Sequence, residues 1–147
     1  MRGARQDLQD SKGRTALFVA AYWGHAGVVE LLCAAPDAPV DAQLASDGST
    51  PLIRACWGGH RGVEGVVRAL LARGARQELQ DSSGHTALHN AAMCGRAGIV
   101  KLLCAASGAA AALAQRNSIS RTPLTSCAEM NSHYDIAAVM RAHGAGR

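Results

Sequence analysis

The phrase Thr-x-Leu recurs at Thr15-Ala-Leu, Thr50-Pro-Leu, Thr86-Ala-Leu and Thr122-Pro-Leu, and the threonines are 35, 36 and 36 residues apart. Self-similarity at that period is the mark of stacked supersecondary units, each unable to bury its apolar face alone. In such an array each unit touches only its neighbours, and the stack presents an extended surface. The period therefore argues against a single closed core around a catalytic cleft and for a surface that meets another macromolecule.

Composition fits this reading. Only five of 147 residues are aromatic (Phe18, Tyr22, Trp23, Trp57 and Tyr134). The bulk is Ala, Leu, Val and Gly, which suits small side chains between closely packed helices. No apolar run approaches the roughly 20 residues of a membrane span. No apolar stretch follows Met1-Arg-Gly-Ala-Arg, so no secretory signal is visible and an intracellular setting, cytoplasmic or nuclear, is expected. The net charge is +4, from 13 Arg and 2 Lys against 11 acids. A basic balance can indicate nucleic acid or an anionic surface, but these charges are scattered, without a run of four. The five cysteines, at 33, 56, 94, 104 and 127, include no C-x-x-C pair, so neither disulfides nor structural zinc is expected. Cys33 and Cys104 follow Leu-Leu at the same point of the repeat, where a small buried hydrophobe belongs.

The unit can be read from Gly84. The hydroxyl of Thr86 suits a helix start, because it can accept an orphan backbone N–H. In two copies Pro51 and Pro123 follow at the position where a missing N–H costs nothing. Ala91 and Ala92 give a thin face for close helix approach, and Gly95 breaks the helix. Ile99, Val100, Leu102 and Leu103 then lie on one face of a second helix. Gly74, Gly108 and Gly144 stand where a left-handed cap ends that helix. An Asp/Ser/Gly turn leads onward. The spacing predicts helices at about 16–23 and 26–35, 51–58 and 62–73, 87–94 and 97–107, and 123–130 and 133–143.

Gly-x-Thr-Pro/Ala-Leu-x-x-Ala-Ala-x-x-Gly-His followed by Val-Val-x-Leu-Leu resembles the ankyrin repeat, over residues 3–145. The resemblance implies an all-α solenoid of antiparallel helix pairs with projecting β-turn fingers, a binding function, no catalysis and no cofactor. The predicted organisation is one domain over 1–147: a half-repeat at 1–12, then repeats at about 13–47, 48–83, 84–120 and 121–147. These copies are longer than the family's usual repeat, with the extra residues near Pro36–Pro39, near Arg61–Val63 and in the alanine-rich 109–114. Only Thr86-Ala-Leu-His89 keeps the family's histidine, whose implied role is a hydrogen bond within the turn, and Asn131 replaces the last mid-unit glycine.

A second period lies above the first. Residues 3–21 and 74–92 agree at 14 of 19 positions, and 24–34 and 95–105 at 8 of 11, an offset of 71 or two units. Duplication of a two-unit block is the simplest account. A full helix precedes Gly74 but only Met1 and Arg2 precede Gly3, so further ankyrin repeats upstream, or an apolar frayed end, are expected. The last helix mixes His133, Asp135, Arg141 and His143 among its apolar residues, as a terminal cap would.

No Gly-rich phosphate loop, His-Glu-x-x-His or metal-ligand spacing occurs. Cys94 and His60 belong to neighbouring units, yet repeat position explains both better than a nucleophile pair. The resemblance instead marks the pair before the mid-unit glycine and the finger residues as partner-facing. Those pairs are Tyr22-Trp23, Trp57-Gly58, Met93-Cys94 and Glu129-Met130. The predicted partner-binding residues are Arg14, Tyr22, Trp23, Trp57, His85, Met93, Met130 and Arg121. Aromatic, Met and Arg residues are enriched at interface anchors; the competing reading is that these rings lean on neighbouring helices. An apolar stripe with a mildly basic finger rim suggests a protein or peptide offering an apolar anchor among acidic residues. The expected function is a non-enzymatic protein-interaction module. Its alternatives are a targeting arm of a larger enzyme, such as a ubiquitin ligase or kinase, and a basic surface for nucleic acid or anionic membrane.

Overall fold

A computed structural model describes residues 4–129 and 133–144. The predicted helix pairs are present: α1 (Ala16–Tyr22) with α2 (Ala26–Cys33), α3 (Pro51–Gly58) with α4 (Val63–Ala72), α5 (Ala87–Met93) with α6 (Ala97–Ala105), and α8 (Pro123–Glu129) with α9 (Tyr134–Ala142). Each recurring threonine is a helix cap. Thr15, Thr50, Thr86 and Thr122 accept from the backbone N–H three residues on, at 3.2, 3.1, 3.3 and 3.3 Å. Pro51 takes the first helical position, where its ring pre-sets φ.

The short helices α1, α3, α5 and α8 stack as one row and α2, α4, α6 and α9 as a second row behind it. The alanine pairs make the first row thin: Ala20, Ala21, Ala55, Ala91 and Ala92 are all buried. The larger core residues lie between the rows and between units, among them Val66, Val67, Leu70, Val100, Leu103 and Met140. Cys33 and Cys104 are buried in this core as their repeat position requires. All five cysteines are free thiols, and burial pushes Cys104 up to about 11.

The sequence reading did not foresee α7 (Ala109–Ala114), which turns the alanine-rich insertion into a further helix. Gly108, in the left-handed region at φ +84°, starts it, and Ala109, Ala112 and Leu113 are buried against the stack. The insertion is thus an element that spaces α6 from α8. The insertion near 61 stays a loop held by two glycines in the left-handed region. A Cβ on Gly24 would run into the Arg61 carbonyl, and one on Gly62 into the Gly24 carbonyl. Only glycine lets these backbones approach so closely.

The fingers are joined side to side. Ser82 N–H donates to the Asp47 carbonyl (2.8 Å) and Ser118 N–H to that of Ser83 (3.0 Å). Glutamine side chains stitch the same seam: Gln43 donates to the carbonyls of Gly48 and Gln80, and Gln80 to those of Gly84 and Arg116.

The first unit leaves an apolar face open. Leu31 is 78% exposed and Val28 is half exposed, whereas Ile99, which corresponds to Val28 across the 71-residue offset, is buried behind α4. Among the described residues no helix is long and apolar enough to cross a membrane.

Candidate interaction surface

The fingers and the first-row helices form the surface on which the marked residues fall. Aspartate or asparagine builds the fingers. Asp10 accepts from the N–H groups of Lys12 and Arg14, Asp81 from those of Ser83 and His85, and Asn117 from those of Ile119 and Arg121, at 2.9–3.1 Å. Such side-chain bonds close a turn without help from neighbouring units. The second finger closes between Leu44 and Ser49, one residue wider than the closure of Asp81 on His85. Its aspartate therefore stands at Asp47, accepts one N–H (Ser49, 3.0 Å), and turns its other oxygen to Arg54 of α3.

The stripe resolves into two groups. Tyr22 and Trp23 meet edge to face with centroids 4.9 Å apart, and His60 packs against both, at 5.5 and 5.0 Å. Tyr22 is half-buried, while Trp23 remains 49% exposed. His60 serves this cluster, and among the described residues no hydrogen bond links it to the exposed Cys94. In the second group Trp57 is 55% exposed and lies beside Arg54. The Arg54 guanidinium sits 5.8 Å from the Trp57 ring centroid and 5.9 Å from that of buried Phe18. Both are within cation–π range. Arg54 also pairs with Asp47 and donates to Ser49 Oγ at 3.3 Å. Trp57 is thus braced from one side and open on the other.

Asp47, Ser49, Ile53, Arg54, Trp57, Asp81, His85 and Asn90 together enclose a cavity of about 110 Å³ between fingers two and three. His85 sits in its wall, with Nδ1 3.9 Å from Asp81 Oδ2. Met93 is half-buried at the end of α5 and does not line this cavity. Met130 lies outside the described residues. Arg121 is tied into the fourth finger by its backbone, whose carbonyl accepts from His89 Nε2 at 2.9 Å.

Two of the arginines on this face are paired with aspartates. Arg14 is held by Asp10 at 2.6 Å, and Arg54 by Asp47. Lys12 of the first finger makes no ion pair among the described residues, so pairing tempers the basic rim at Arg14 without removing it. Among the described residues no group of three or more His, Cys, Asp or Glu is arranged to hold a metal ion.

Sequence reasoning missed Arg54 and Asn90. They stand four places after Thr50 and Thr86, one helical turn before the marked pair and on the same face of their helices. The signal was present: at that position the first copy carries Val19, and the change to charged or polar side chains in the middle units is what lines the cavity.

A family model described as ankyrin repeats (3 copies) matches residues 1–81 and again 61–146. Ankyrin repeat domain-containing protein 63 of Homo sapiens is 39% identical over 124 residues, which are 83% of this chain and 32% of that protein. Zinc finger CCCH domain-containing protein 24 of Oryza sativa subsp. japonica is 40% identical over 72 residues, 49% of this chain and 9% of that protein. The chain spans about a third of its human relative. With threonine-capped helix pairs, hydrogen-bonded fingers and a family match over nearly its whole length, the chain belongs to the ankyrin-repeat family.

Proposed function

We propose that this chain binds a protein or peptide partner through the face formed by the fingers and the first-row helices, with Trp57 as its main anchor and the Tyr22–Trp23 pair as a second contact. Ankyrin repeats are in general protein–protein interaction modules. The observation that carries the finer reading is the state of Trp57, an indole half in solvent that lies beside a guanidinium already satisfied by Asp47 and Ser49. Its open side is left for a partner to bury. Burying such a ring removes on the order of 150–250 Å² from water. The partner therefore supplies an apolar anchor, and any acidic complement would meet Lys12 more readily than Arg14, which Asp10 already holds. The setting is intracellular, and any enzymatic part that this module serves lies outside these residues.

The test compares partners captured from cells by wild type and by Trp57→Ala. Loss of a hot-spot ring weakens capture by about 2 kcal/mol or more, roughly 30-fold in Kd, with little change in melting temperature. An unchanged set of partners rejects the anchor, and melting as low as that of a core variant makes Trp57 structural. Binding that falls steeply with salt, on a logarithmic slope of several units, transfers the surface to the nucleic-acid reading.

The open face of α1 and α2 belongs to the same proposal. By the 71-residue correspondence it is equivalent to the face of α5 and α6 that α3 and α4 cover, so a further ankyrin helix pair fits it. Placing a copy of residues 38–73 ahead of Gly3 is expected to raise the melting temperature by several degrees, since each stacked interface adds to the array. No rise rejects that occupant.

A further inference from the structure

We infer that the cavity between the second and third fingers is a socket for one lysine side chain of the partner. The inference rests on the proposed partner face and specifies its chemistry.

Size comes first. Small-molecule pockets run to about 300–1,000 Å³. This cavity holds about 110 Å³, the share of roughly three or four waters. It accepts the tip of one side chain and nothing larger.

Its wall contains polar groups that make no hydrogen bond, the Asn90 amide and Asp81 Oδ2 among them. Asn90 is only 5% exposed and lines the cavity, yet among the described residues its side-chain amide makes no hydrogen bond. Its polar atoms are not sealed off from solvent, so in the free protein they face water, and a guest that reaches them replaces that water. Asn90 is also a departure within the duplication: the matching position of the first block is Val19.

Charge then selects the guest. The cavity carries two carboxylates, Asp47 and Asp81, against one guanidinium, Arg54. The guanidinium is committed to Asp47 and Ser49 and lies between two rings, so it is not available to an acid. What remains is acceptor capacity, at Asp81 Oδ2, which His85 Nδ1 approaches only to 3.9 Å, and at the Asn90 carbonyl oxygen. A cationic donor completes both and cancels the excess negative charge.

Geometry separates lysine from arginine. A guanidinium seeks two coplanar acceptors on one carboxylate. Asp81 Oδ1 already accepts from the N–H groups of Ser83 and His85, and Asp47 has one oxygen on Ser49 and the other on Arg54. Neither carboxylate offers a free pair. An ammonium is a point charge with three rotatable donors, and it can divide them between Asp81 Oδ2 and Asn90 while its stem lies along the open side of Trp57.

The probe is Nα-acetyl-lysine amide, titrated into the full ¹⁵N-labelled chain. The expected result is a saturable shift of the Asn90 side-chain amide and the Trp57 indole N–H, with Nε-acetylation of the probe or Asp81→Asn weakening binding about ten-fold, the worth of one charge-assisted contact. Asp81→Asn keeps the finger, because Asn117 closes the fourth finger with the same two bonds. Val19 supplies the second variant, Asn90→Val, which is expected to weaken the probe while leaving the indole in place. No saturable shift, equal binding of the acetylated probe, or tighter binding of Nα-acetyl-arginine amide overturns the assignment. None of these outcomes touches the capture of a partner through Trp57, so the socket and the binding face stand or fall separately.

Discussion

Leu103→Ala is expected to cost about 2–5 kcal/mol, the range of buried leucine truncations that leave a cavity. Leu103 is fully buried on α6, which packs against α4, α5 and α9. In a stacked array stability is close to a sum of unit and interface contributions. A defect in the third unit therefore weakens its own helix pairing and its seams to the second and fourth units. For a chain of this length the melting temperature should fall by roughly 10 °C. The open face supplies the control: Leu31, which matches Leu102 across the 71-residue offset, is 78% exposed. Leu31→Ala is expected to change stability by less than about 0.5 kcal/mol. Thermal unfolding by circular dichroism decides the matter. Equal melting of the two variants would mean that burial between units does not set the loss.

That pair also shows what could be read from the chain alone. Period, threonine caps and glycine stops located eight helices, because each signal is local: a hydroxyl answers an N–H three residues on, and glycine takes the left-handed turn. The six-residue α7 was missed because a run of alanines has no apolar contrast along the helix and no side-chain cap. It forms because it packs on the stack, which is information held in α6 and α8. The surface was legible only in part. Repeat register brought Tyr22, Trp23 and Trp57 forward, since aromatics are rare here. The cavity was not legible: it needs Asp47 displaced by a wider finger, Arg54 one turn before Trp57, and Asp81, His85 and Asn90 from the next unit. Charges counted along the chain suggested a basic rim. Pairing in space tempers it, since Arg14 with Asp10 and Arg54 with Asp47 are contacts that composition does not show.

His89→Ala is expected to destabilise the fold by roughly 3 kcal/mol, combining unmet buried polar groups with a void. The imidazole is fully buried and uses both nitrogens. Nδ1 accepts from Thr86 N–H at 3.2 Å and from its hydroxyl at 2.9 Å, and Nε2 donates to the Arg121 carbonyl at 2.9 Å. One neutral tautomer, protonated at Nε2, serves all three bonds, and it ties the third helix start to the fourth finger. A second proton would sit on Nδ1 and point at the Thr86 N–H. Burial accordingly holds the His89 pKa below its ordinary 6.5, against the raising effect of the Arg121 carbonyl. The unfolded chain then binds the proton more readily than the folded one, so stability gains with rising pH across this window. The contribution is complete above about pH 6.5 and is lost as the pH falls through that value toward the folded one. His89→Phe copies the first block, where Phe18 holds the matching position beside Thr15, and it keeps bulk while leaving Thr86 N–H unanswered and the Arg121 carbonyl with only its bond from Asn117 N–H. It should melt between wild type and His89→Ala, and both variants should show a smaller drop in melting temperature than wild type between about pH 7.5 and pH 5. If wild type and His89→Phe lose the same number of degrees over that interval, the neutral bridge from Thr86 to Arg121 is not what His89 contributes.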